Sequence, residues 1–403
     1  MQTIYFEKNI PRVLATKFIS HYWPDFVWTP FSSARVATVP DPPLPGPNWL
    51  RVRNRLCGIC ASDLHLLFVH ADPSVAPAAL PGTNRFYLGH EVVSIVVEVG
   101  SAVTRCKVGD RVIMDSRFAG ANCHTLGIKP VCRQCAAHEH NFCENKALPG
   151  PRGEGGGFGD SYTAHETEVY PCPPDLTDDQ AALVEPMACA VHSTLRRPPE
   201  PGERVLVVGA GIIGLCQVMA ARAFQPDCRI TAIARYPHQA EMARRVGAND
   251  VLTGREGYEG VAKHVGGKFY SAPLNKGIVV SGFDLIYDCV GNAETIGDSL
   301  RWTRAGGTVV VVGVNLNPVS IDLTLVWYHH VNLIGTREHG HSTWNGQTRH
   351  DYDWVIDFIR NGRFPTAGLI THRFPFADYK RAIATSMSKA KERAVKVVVE
   401  YAA

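Results

Sequence analysis

The stretch Arg204-Val-Leu-Val-Val-Gly-Ala-Gly-Ile-Ile-Gly214 places a continuous apolar run directly before three glycines. Such a run is typical of a strand buried on both faces of a parallel sheet, and helical character follows it. Gly209 permits a tight turn, Gly211 lets a backbone approach a pyrophosphate, and Gly214 lets the helix pack closely on the strand. This order of strand, turn and helix predicts a dinucleotide-binding turn, whereas the alternative is a turn with incidental glycines.

Further apolar runs alternate with helical segments after this turn. The runs are Arg229–Ala234, Phe283–Asp288 and Thr308–Gly313. Such alternation predicts a doubly wound α/β unit with a parallel sheet, which is the Rossmann arrangement. The start of the first helix would then present backbone N–H groups to an anion.

The segment Ala232-Ile-Ala-Arg-Tyr236 bears on which dinucleotide the turn would bind. NAD sites usually carry an acidic residue at the end of the second strand, whereas a 2′-phosphate favours a nearby arginine. Ala234 stands at the expected acidic position, and Arg235 follows it. Because a guanidinium can pair with phosphate through two N–H groups, NADP(H) is favoured over NAD(H). The alternative is that Arg235 is a solvated surface residue.

The first half of the chain concentrates side chains that bind metals, and nine of the twelve cysteines lie between positions 57 and 189. Cys57-Gly-Ile-Cys-Ala-Ser-Asp-Leu-His65 contains Cys60, and Leu88-Gly-His-Glu91 contains His90. A thiolate and an imidazole together suit zinc, and Glu185 adds a carboxylate later in the chain. Each side chain alone would suggest a buried thiol, a core histidine or a surface carboxylate, but together they predict a metal site.

Short strands separated by turn residues surround these metal-ligand segments. Glu91–Gly100 is a β-branched run that ends at glycine, and Val108–Met114 is a turn followed by a strand. These runs predict a compact, mostly β domain, a partly open barrel. We expect that domain to comprise residues 1–187 and 335–403, with the α/β unit spanning 188–334.

Length and composition limit the kinds of protein that this chain can be. A chain of 403 residues is too long for one typical core, and 45% hydrophobic with 20% charged residues is typical of a globular protein. A net charge of +3 without a basic run predicts no nucleic-acid partner. We expect a cytoplasmic protein with no membrane partner, because we find no export signal and no apolar stretch long enough to span a bilayer. Residues 262–281 have no pattern that assigns them a role.

These motifs resemble those of the medium-chain zinc-dependent alcohol and polyol dehydrogenases, over nearly the whole chain. Cys57–His65 matches the first zinc segment of that family, although Ala61 stands where glycine is usual, and Gly89–Glu91 matches the second. Glu185-Pro-Met187 resembles the sorbitol and threonine dehydrogenase branch, in which a glutamate completes the catalytic zinc set with the cysteine and histidine. The resemblance implies a GroES-like barrel domain and a Rossmann domain.

The resemblance also implies the cofactor contacts. The stretch Gly209–Gly214, which includes Ile212 and Ile213, corresponds to the family's cofactor turn. Val290-Gly291 and Val312-Gly313 correspond to strand ends that face the nicotinamide.

The chemistry that the resemblance implies is hydride transfer between an alcohol and a nicotinamide, with zinc lowering the pKa of the substrate oxygen. Ser62 would take the proton and pass it through the nicotinamide ribose to His65, whose imidazole titrates near working pH. His65 could instead be a solvent-facing residue, and Glu91 could orient the zinc ligands or approach the zinc itself. The implied substrate is a secondary alcohol, polyol or sugar, or the matching carbonyl, and the implied assembly is a homodimer or homotetramer.

The loop at about 118–158 departs from the family pattern of a structural zinc site, Cys-x2-Cys-x2-Cys-x7-Cys. Cys132, Cys135 and Cys143 fit its last three positions, but the first position falls on Lys129. An ammonium cannot bind zinc while it is protonated, so the site lacks one ligand in this register.

Three residues could supply the missing ligand. Cys123 could do so from a longer loop, and His124 or His138 could do so in its place. A closed structural zinc site of four ligands and an empty lobe therefore both remain open.

Two rival functions fit the same fold. A zinc-free NADPH-dependent enone or quinone reductase would have no use for Cys60, His90 and Glu185 together. A non-catalytic zinc-binding protein would be expected to have lost the proton relay or the cofactor turn, and this sequence has both. Tight binding of NADPH would separate the enzyme from the non-catalytic protein.

Overall fold

The structure, a computed structural model, describes residues 1–72, 84–115, 121–146 and 148–402. Backbone contacts divide the chain into two compact units. Unit 1 comprises Met1–Glu185 and the residues from Gly368 onward, and unit 2 comprises Pro186–Ala367. Among the described residues, we find no helix that is both long and apolar enough to cross a membrane.

The secondary structure alternates short strands with short helices through most of the chain. The strands are β1 (Gln2–Glu7), β2 (Ala34–Thr38), β3 (Trp49–Gly58), β4 (Arg85–Tyr87), β5 (Glu91–Val99), β6 (Arg111–Met114), β7 (Ser161–His165), β8 (Val169–Pro171), β9 (Arg204–Val208), β10 (Arg229–Ile233), β11 (Asp250–Leu252), β12 (Lys268–Ala272), β13 (Asn275–Val280), β14 (Phe283–Asp288), β15 (Thr303–Val311), β16 (Asn332–Gly335), β17 (His341–Trp344), β18 (Gln347–His350), β19 (Ile370–Pro375) and β20 (Lys396–Glu400). The α-helices are α1 (Ile10–Ile19), α2 (Ala61–Leu67), α3 (Arg133–Ala136), α4 (Asp178–Ala182), α5 (Val184–Arg196), α6 (Ile212–Phe224), α7 (Pro237–Arg245), α8 (Gly257–Val265), α9 (Ala293–Trp302), α10 (Thr324–Tyr328), α11 (Asp351–Arg360), α12 (Tyr379–Met387) and α13 (Lys389–Glu392), and single 3₁₀ turns occur at Pro24–Trp28, His140–Phe142, Glu166–Glu168 and Phe376–Asp378.

A six-stranded sheet forms the centre of unit 2, in the order β11, β10, β9, β14, β15 and β16. Every neighbouring pair of these strands is parallel. The central strand β9 carries the apolar run before the glycine turn, and its residues from Val205 to Val208 are buried. The predicted doubly wound parallel sheet is confirmed.

Residues 262–281, to which the sequence assigned no role, form the end of α8 and an antiparallel hairpin. The hairpin consists of β12 and β13. Val279 is fully buried, and the Phe269 ring lies 5.8 Å from the Tyr258 ring of α8. This segment is therefore an ordered hairpin that packs against helix α8.

The principal sheet of unit 1 has seven strands. Six of them pair in the order β19, β20, β3, β5, β6 and β8, and β7 pairs with β3. All pairs except β19 with β20 are antiparallel. Strand β3 pairs with β5, β7 and β20. The segment that follows β3 therefore starts beside β20, the C-terminal strand. The prediction of a mostly β domain is confirmed.

The chain returns to unit 1 at Gly368, and not at residue 335 as predicted from the sequence. Helix α11 accounts for the difference. Its Trp354 and Phe358 rings lie 6.0 and 5.1 Å from the ring of Phe224, at the end of α6. Aromatic contacts of this kind stabilise packing, and they hold residues 335–367 to unit 2.

Candidate active site

Cys60 lies where strand β3 ends and helix α2 begins. It occupies the residue before the helix, and its backbone N–H donates to the Asp63 carboxylate at 3.2 Å. A carboxylate in the first helical turn commonly caps a helix in this way. The cap fixes the backbone that carries the Cys60 thiol.

His90 lies immediately before strand β5, after a glycine with a positive φ. Gly89 has φ of +81°, and a side chain there would meet the backbone of Phe158. The Gly89 N–H donates to Asp63 at 2.9 Å, and the same carboxylate oxygen lies 3.4 Å from Nδ1 of His90. Buried Asp63 thus joins the segments that carry Cys60 and His90.

The ligand atoms of Cys60, His90 and Glu91 all lie within 4.8 Å of one another. We call these three residues the catalytic group. Sulfur, nitrogen and carboxylate oxygen form a donor set that zinc accepts, and a catalytic zinc keeps a further position open. Glu185, the third ligand expected from the sequence, is not in this group among the described residues. It is buried at the start of α5, where its charge helps to raise the pKa of Lys396.

Lys396 pairs with Glu91 inside unit 1, and each side chain is only 1% exposed. Gly58 of β3 is paired with Glu91 of β5 on one side and with Val398 of β20 on the other. A side chain at Gly58 would collide with the Glu91 carboxylate and the Lys396 stem, so this glycine makes room for the ion pair. The Lys396 ammonium also donates to the Ile59 carbonyl at 3.2 Å.

Charges around the catalytic group counteract the effect of burial on the pKa values of Lys396 and His90. Burial alone would lower the pKa of Lys396, but the Glu91 carboxylate raises that pKa above its ordinary value. Burial would likewise lower the pKa of His90, and the Asp63 carboxylate and Cys60 raise it well above its usual range. Because Nδ1 of His90 faces Asp63, Nε2 is the nitrogen available to a metal.

Ser62 and His65, the predicted proton relay, both lie on α2 and are partly buried. Residues three apart lie on the same side of a helix, so α2 presents both side chains in one direction. Burial lowers the pKa of His65, and the neighbouring His70 and Lys389 lower it further. The imidazole of His65 therefore stays neutral, and able to accept a proton, below its usual pH range.

Four cysteines of unit 1 form a second group, which we call the cysteine lobe. The Sγ atoms of Cys123, Cys132, Cys135 and Cys143 all lie within 4.8 Å of one another. The thiol of Cys123 is 3.8 Å from that of Cys143 and accepts the Cys132 N–H at 3.3 Å. Lys129 is not in the group, so Cys123 occupies the position that the spacing pattern left without a ligand. Residues 118–120 and 147 of the predicted loop lie outside the described residues.

The pKa values of three lobe thiols are shifted, in opposite directions. Burial acts to raise the pKa of Cys132, but N–H groups of Cys135 and Glu144 lower it to about 7. Burial raises the pKa of Cys135 and of Cys143. A thiolate is therefore favoured at Cys132, while Cys135 and Cys143 need a nearby cation before they ionise readily, as a bound zinc ion would supply.

The glycine turn of unit 2 has the geometry that the sequence predicts for a pyrophosphate site. Gly209 has φ of +91°, and a side chain at Gly214 would collide with the Gly209 carbonyl. A side chain at Gly211 would meet open space, since beyond the adjoining residues nothing lies within 4 Å of its Cβ position. Helix α6 begins at Ile212, followed by Ile213, so its first N–H groups adjoin this space. The turn therefore fits a dinucleotide.

The predicted nicotinamide-facing residues lie together at the ends of β14 and β15. Buried Asp288 accepts from the N–H groups of Val290 at 2.9 Å and Gly291 at 3.0 Å. The Asp288 carbonyl accepts from Val312 and Gly313 at 2.9 and 2.8 Å. A side chain at Gly291 would collide with the Gly313 carbonyl, so the close approach of these strand ends requires glycine. Asp288 is the residue that holds them together.

Ala234 and Arg235 follow strand β10, on the other side of β9 from β14. Ala234 is buried, whereas Arg235 is exposed with its guanidinium 5.6 Å from the centre of the Tyr236 ring. An exposed guanidinium stacked on a ring is available to pair with an anion.

Sequence reasoning missed two residues that organise the catalytic group. Asp63 lies within the metal-binding segment Cys57–His65, where the cysteine and histidine draw the attention. Only its position in the first turn of a helix that follows Cys60 could have identified it. Lys396 is the one charged residue within the otherwise apolar run Ala394-Val-Lys-Val-Val-Val399. A lone lysine in a buried strand indicates a hidden partner, but not which one.

Two family models and several known proteins match the chain. The alcohol dehydrogenase GroES-like domain matches residues 46–174, and the zinc-binding dehydrogenase model matches residues 213–361. Sorbitol dehydrogenase of Arabidopsis thaliana is 29% identical over 365 residues, which cover 88% of this chain and 89% of that protein. L-idonate 5-dehydrogenase of Vitis vinifera is 28% identical over 343 residues, which cover 85% of each chain.

The crystal structure of a Sinorhizobium meliloti protein described as a zinc-binding dehydrogenase, bound to NADP, is 26% identical. It superposes with a TM-score of 0.69 and covers 99% of this chain and 100% of that chain. The chain belongs to the medium-chain zinc-dependent alcohol and polyol dehydrogenases, built from a GroES-like domain and a Rossmann domain, and it is an oxidoreductase.

Proposed function

We propose that this enzyme oxidises a polyol or sugar alcohol at a secondary hydroxyl, and reduces the matching carbonyl in reverse. The observation that carries the proposal is the catalytic group, in which a thiol, an imidazole and a carboxylate meet beside the helix that bears Ser62 and His65. Relatives named for sorbitol and L-idonate support a polyhydroxylated substrate.

Cys60 and His90, with a carboxylate from Glu91 or Glu185, would hold a catalytic zinc. Bound zinc supplies a Lewis acid that lowers the pKa of a substrate hydroxyl, and bound nicotinamide supplies the hydride acceptor. Asp63 orients the His90 ring, because it accepts from both ligand-bearing segments. Lys396 balances the charge of Glu91.

Ser62 and His65 would carry away the proton that the substrate hydroxyl loses. The hydroxyl of Ser62 lies two residues from Cys60, and His65 lies one helical turn further along α2. Since His65 is neutral at working pH, it can accept a proton and release it to water.

The proposed cofactor is NADP(H). Ala234 offers no carboxylate to repel a 2′-phosphate, and the exposed Arg235 can pair with one. We expect Arg235→Ala to lower the preference for NADP over NAD by about 10- to 100-fold, the range for hydrogen bonds to charged groups.

The matched control is Arg244→Ala, which removes an exposed arginine at the end of α7. Ratios of kcat/KM with the two cofactors provide the measurement. An unchanged ratio in Arg235→Ala would exclude this residue as the phosphate partner.

A second, structural zinc in the cysteine lobe completes the proposal. The four thiols supply a closed tetrahedral donor set, with Cys123 in place of the residue that the family pattern expects near Lys129. We expect two zinc ions per chain by elemental analysis, and one after Cys123→Ala. Retention of both after Cys123→Ala would point to His124 or His138 as the fourth ligand.

Turnover tests the proposed reaction. The purified enzyme is assayed with polyols, sugars and simple secondary alcohols, using NADP and NAD, before and after a chelator removes zinc. Oxidation of polyols that chelation abolishes and zinc restores is the expected result. Reduction of enones that is indifferent to chelation would instead favour the zinc-free reductase. We also propose that the enzyme is cytoplasmic and that it forms a homodimer or a homotetramer.

A further inference from the structure

Helix α1 in unit 1 has its apolar side chains on the outside. Ile10, Leu14 and Phe18 recur every four residues and so follow one face, and Ile10 and Phe18 are 71% and 66% exposed. A surface helix ordinarily buries such a stripe and exposes polar residues. This helix lies before residue 46, where the match to the GroES-like family model begins.

The opposite face of α1 is buried and largely polar. Thr16 is fully buried and accepts the Ser33 N–H at 2.8 Å, and Ser20 donates to the Phe68 carbonyl at 3.3 Å. Lys17 donates to the Ala71 carbonyl at 2.7 Å. These directional contacts fix how the helix sits on the domain, so rotation to bury the apolar stripe would break them.

Further aromatic side chains are exposed in the chain that follows the helix. Tyr22 is 87% exposed, and Trp23 and Phe31 are exposed as well. We call the set Ile10, Leu14, Phe18, Tyr22, Trp23 and Phe31 the N-terminal patch. These six large apolar side chains, exposed within residues 10–31, are more than ordinary surface carries, which indicates an interaction site.

We propose that the N-terminal patch docks on the surface of a membrane that contains anionic lipid. An amphipathic helix lies in the plane of a bilayer interface with its apolar face inserted, and Tyr and Trp favour that depth. The chain around the patch, residues 7–35, carries four basic side chains and two acidic ones, a charge that suits anionic headgroups.

The same charges disfavour a second copy of the chain as the occupant. A two-fold contact would place this patch against itself, so that the net positive charge of residues 7–35 would face its own copy. The sequence predicted no membrane partner because no segment is long enough to span a bilayer. Peripheral docking needs no such segment.

Sedimentation with lipid vesicles tests the proposal on the full-length protein. Vesicles of phosphatidylcholine alone are compared with vesicles that also contain phosphatidylglycerol. We expect the wild type to bind the anionic vesicles and to dissociate at high salt, because screening weakens attraction to headgroups. Ile10→Glu combined with Phe18→Glu should lower the partition coefficient at least about tenfold.

The matched control is Leu274→Glu, which places the same charge at a fully exposed apolar residue between β12 and β13, outside the patch. This variant should bind vesicles as the wild type does. Thermal unfolding checks that each variant folds, and light scattering gives its oligomeric state.

Three results would overturn the proposal. The first is no binding to either vesicle, and the second is equal binding by the wild type and the double variant. The third is an oligomer that dissociates when Ile10 and Phe18 are replaced, since that would identify a second copy as the occupant. None of these outcomes depends on turnover, so failure here leaves the proposed reaction untouched.

Discussion

The catalytic group and the cysteine lobe both gather metal-binding side chains within 4.8 Å, yet they are built differently. The catalytic group mixes sulfur, nitrogen and oxygen at the ends of strands, and the buried charges of Asp63 and Lys396 surround it. The lobe offers four sulfurs from loops and a single short helix. A mixed set with charged support suits a metal that must also bind substrate, whereas four thiolates close the coordination of a structural ion.

Loss of one thiol from each group should separate their roles most strongly. We expect Cys60→Ala to lower kcat/KM by at least about 10³-fold, because the metal contributes several kcal/mol to stabilising charge on the substrate oxygen. Cys135→Ala should leave kcat within about tenfold but lower the unfolding temperature, because a structural zinc contributes to folding.

Cys106→Ala is the control, since that cysteine lies in unit 1 outside both groups. It should change neither property. An active Cys60→Ala enzyme would refute the metal role of the catalytic group.

Replacement of Lys396 tests whether its buried ammonium neutralises the Glu91 carboxylate of the catalytic group. Lys396→Met leaves the Glu91 carboxylate buried without its partner, which should cost about 3–5 kcal/mol in the zinc-free protein. The cost should be smaller with zinc bound, since the cation can compensate the same carboxylate.

Urea unfolding, carried out once with a chelator and once with added zinc, gives the free energy of unfolding in the zinc-free and zinc-bound states. Lys391→Met, which alters a lysine that is 87% exposed, should change the free energy of unfolding by less than about 0.5 kcal/mol. Equal losses with and without zinc would show that Lys396 does not share a charge balance with the metal.

Asp63→Asn tests the carboxylate that orients His90 in the catalytic group. The amide keeps the shape but loses the charge that faces His90. We expect zinc affinity at the catalytic group to fall about 10- to 100-fold, the usual effect of losing such a partner. Competition with a chelator measures it, and the lobe zinc should be unaffected. Asp110→Asn, on a loop of unit 1, serves as the control.

The smallest expected effect is a pH dependence that involves His65. Its pKa is lowered in the folded enzyme by burial, His70 and Lys389, whereas the unfolded value is about 6.5. Below about pH 6.5 the unfolded chain binds a proton that the folded chain does not, so stability falls as the pH falls. His65→Gln should remove this acid loss and should lower kcat for oxidation about tenfold at neutral pH.

Stability and rate are measured across pH 5–8 in the wild type and the variant. His372→Gln, which removes a partly buried histidine on β19, is the matched control. Parallel pH profiles for the wild type and His65→Gln would remove His65 from the relay.

The sequence by itself determined the parts of the protein that depend on neighbouring residues. Glycine spacing after an apolar run specifies the turn at Gly209–Gly214, because only glycine tolerates its φ and its close contact. Alternating apolar runs specify the parallel sheet of unit 2, and short motifs identify Cys60 and His90 as candidate metal ligands.

The tertiary structure decided what depends on residues that are distant in the chain. Lys396 reaches Glu91 only because β3 lies between β20 and β5 with glycine at position 58. Cys123 joins the lobe through a loop path that no fixed spacing describes. The exposed face of α1 follows from polar contacts with Ser33, Phe68 and Ala71. Periodicity shows that a helix has an apolar face, but only the packing of the other face shows which side is left to solvent.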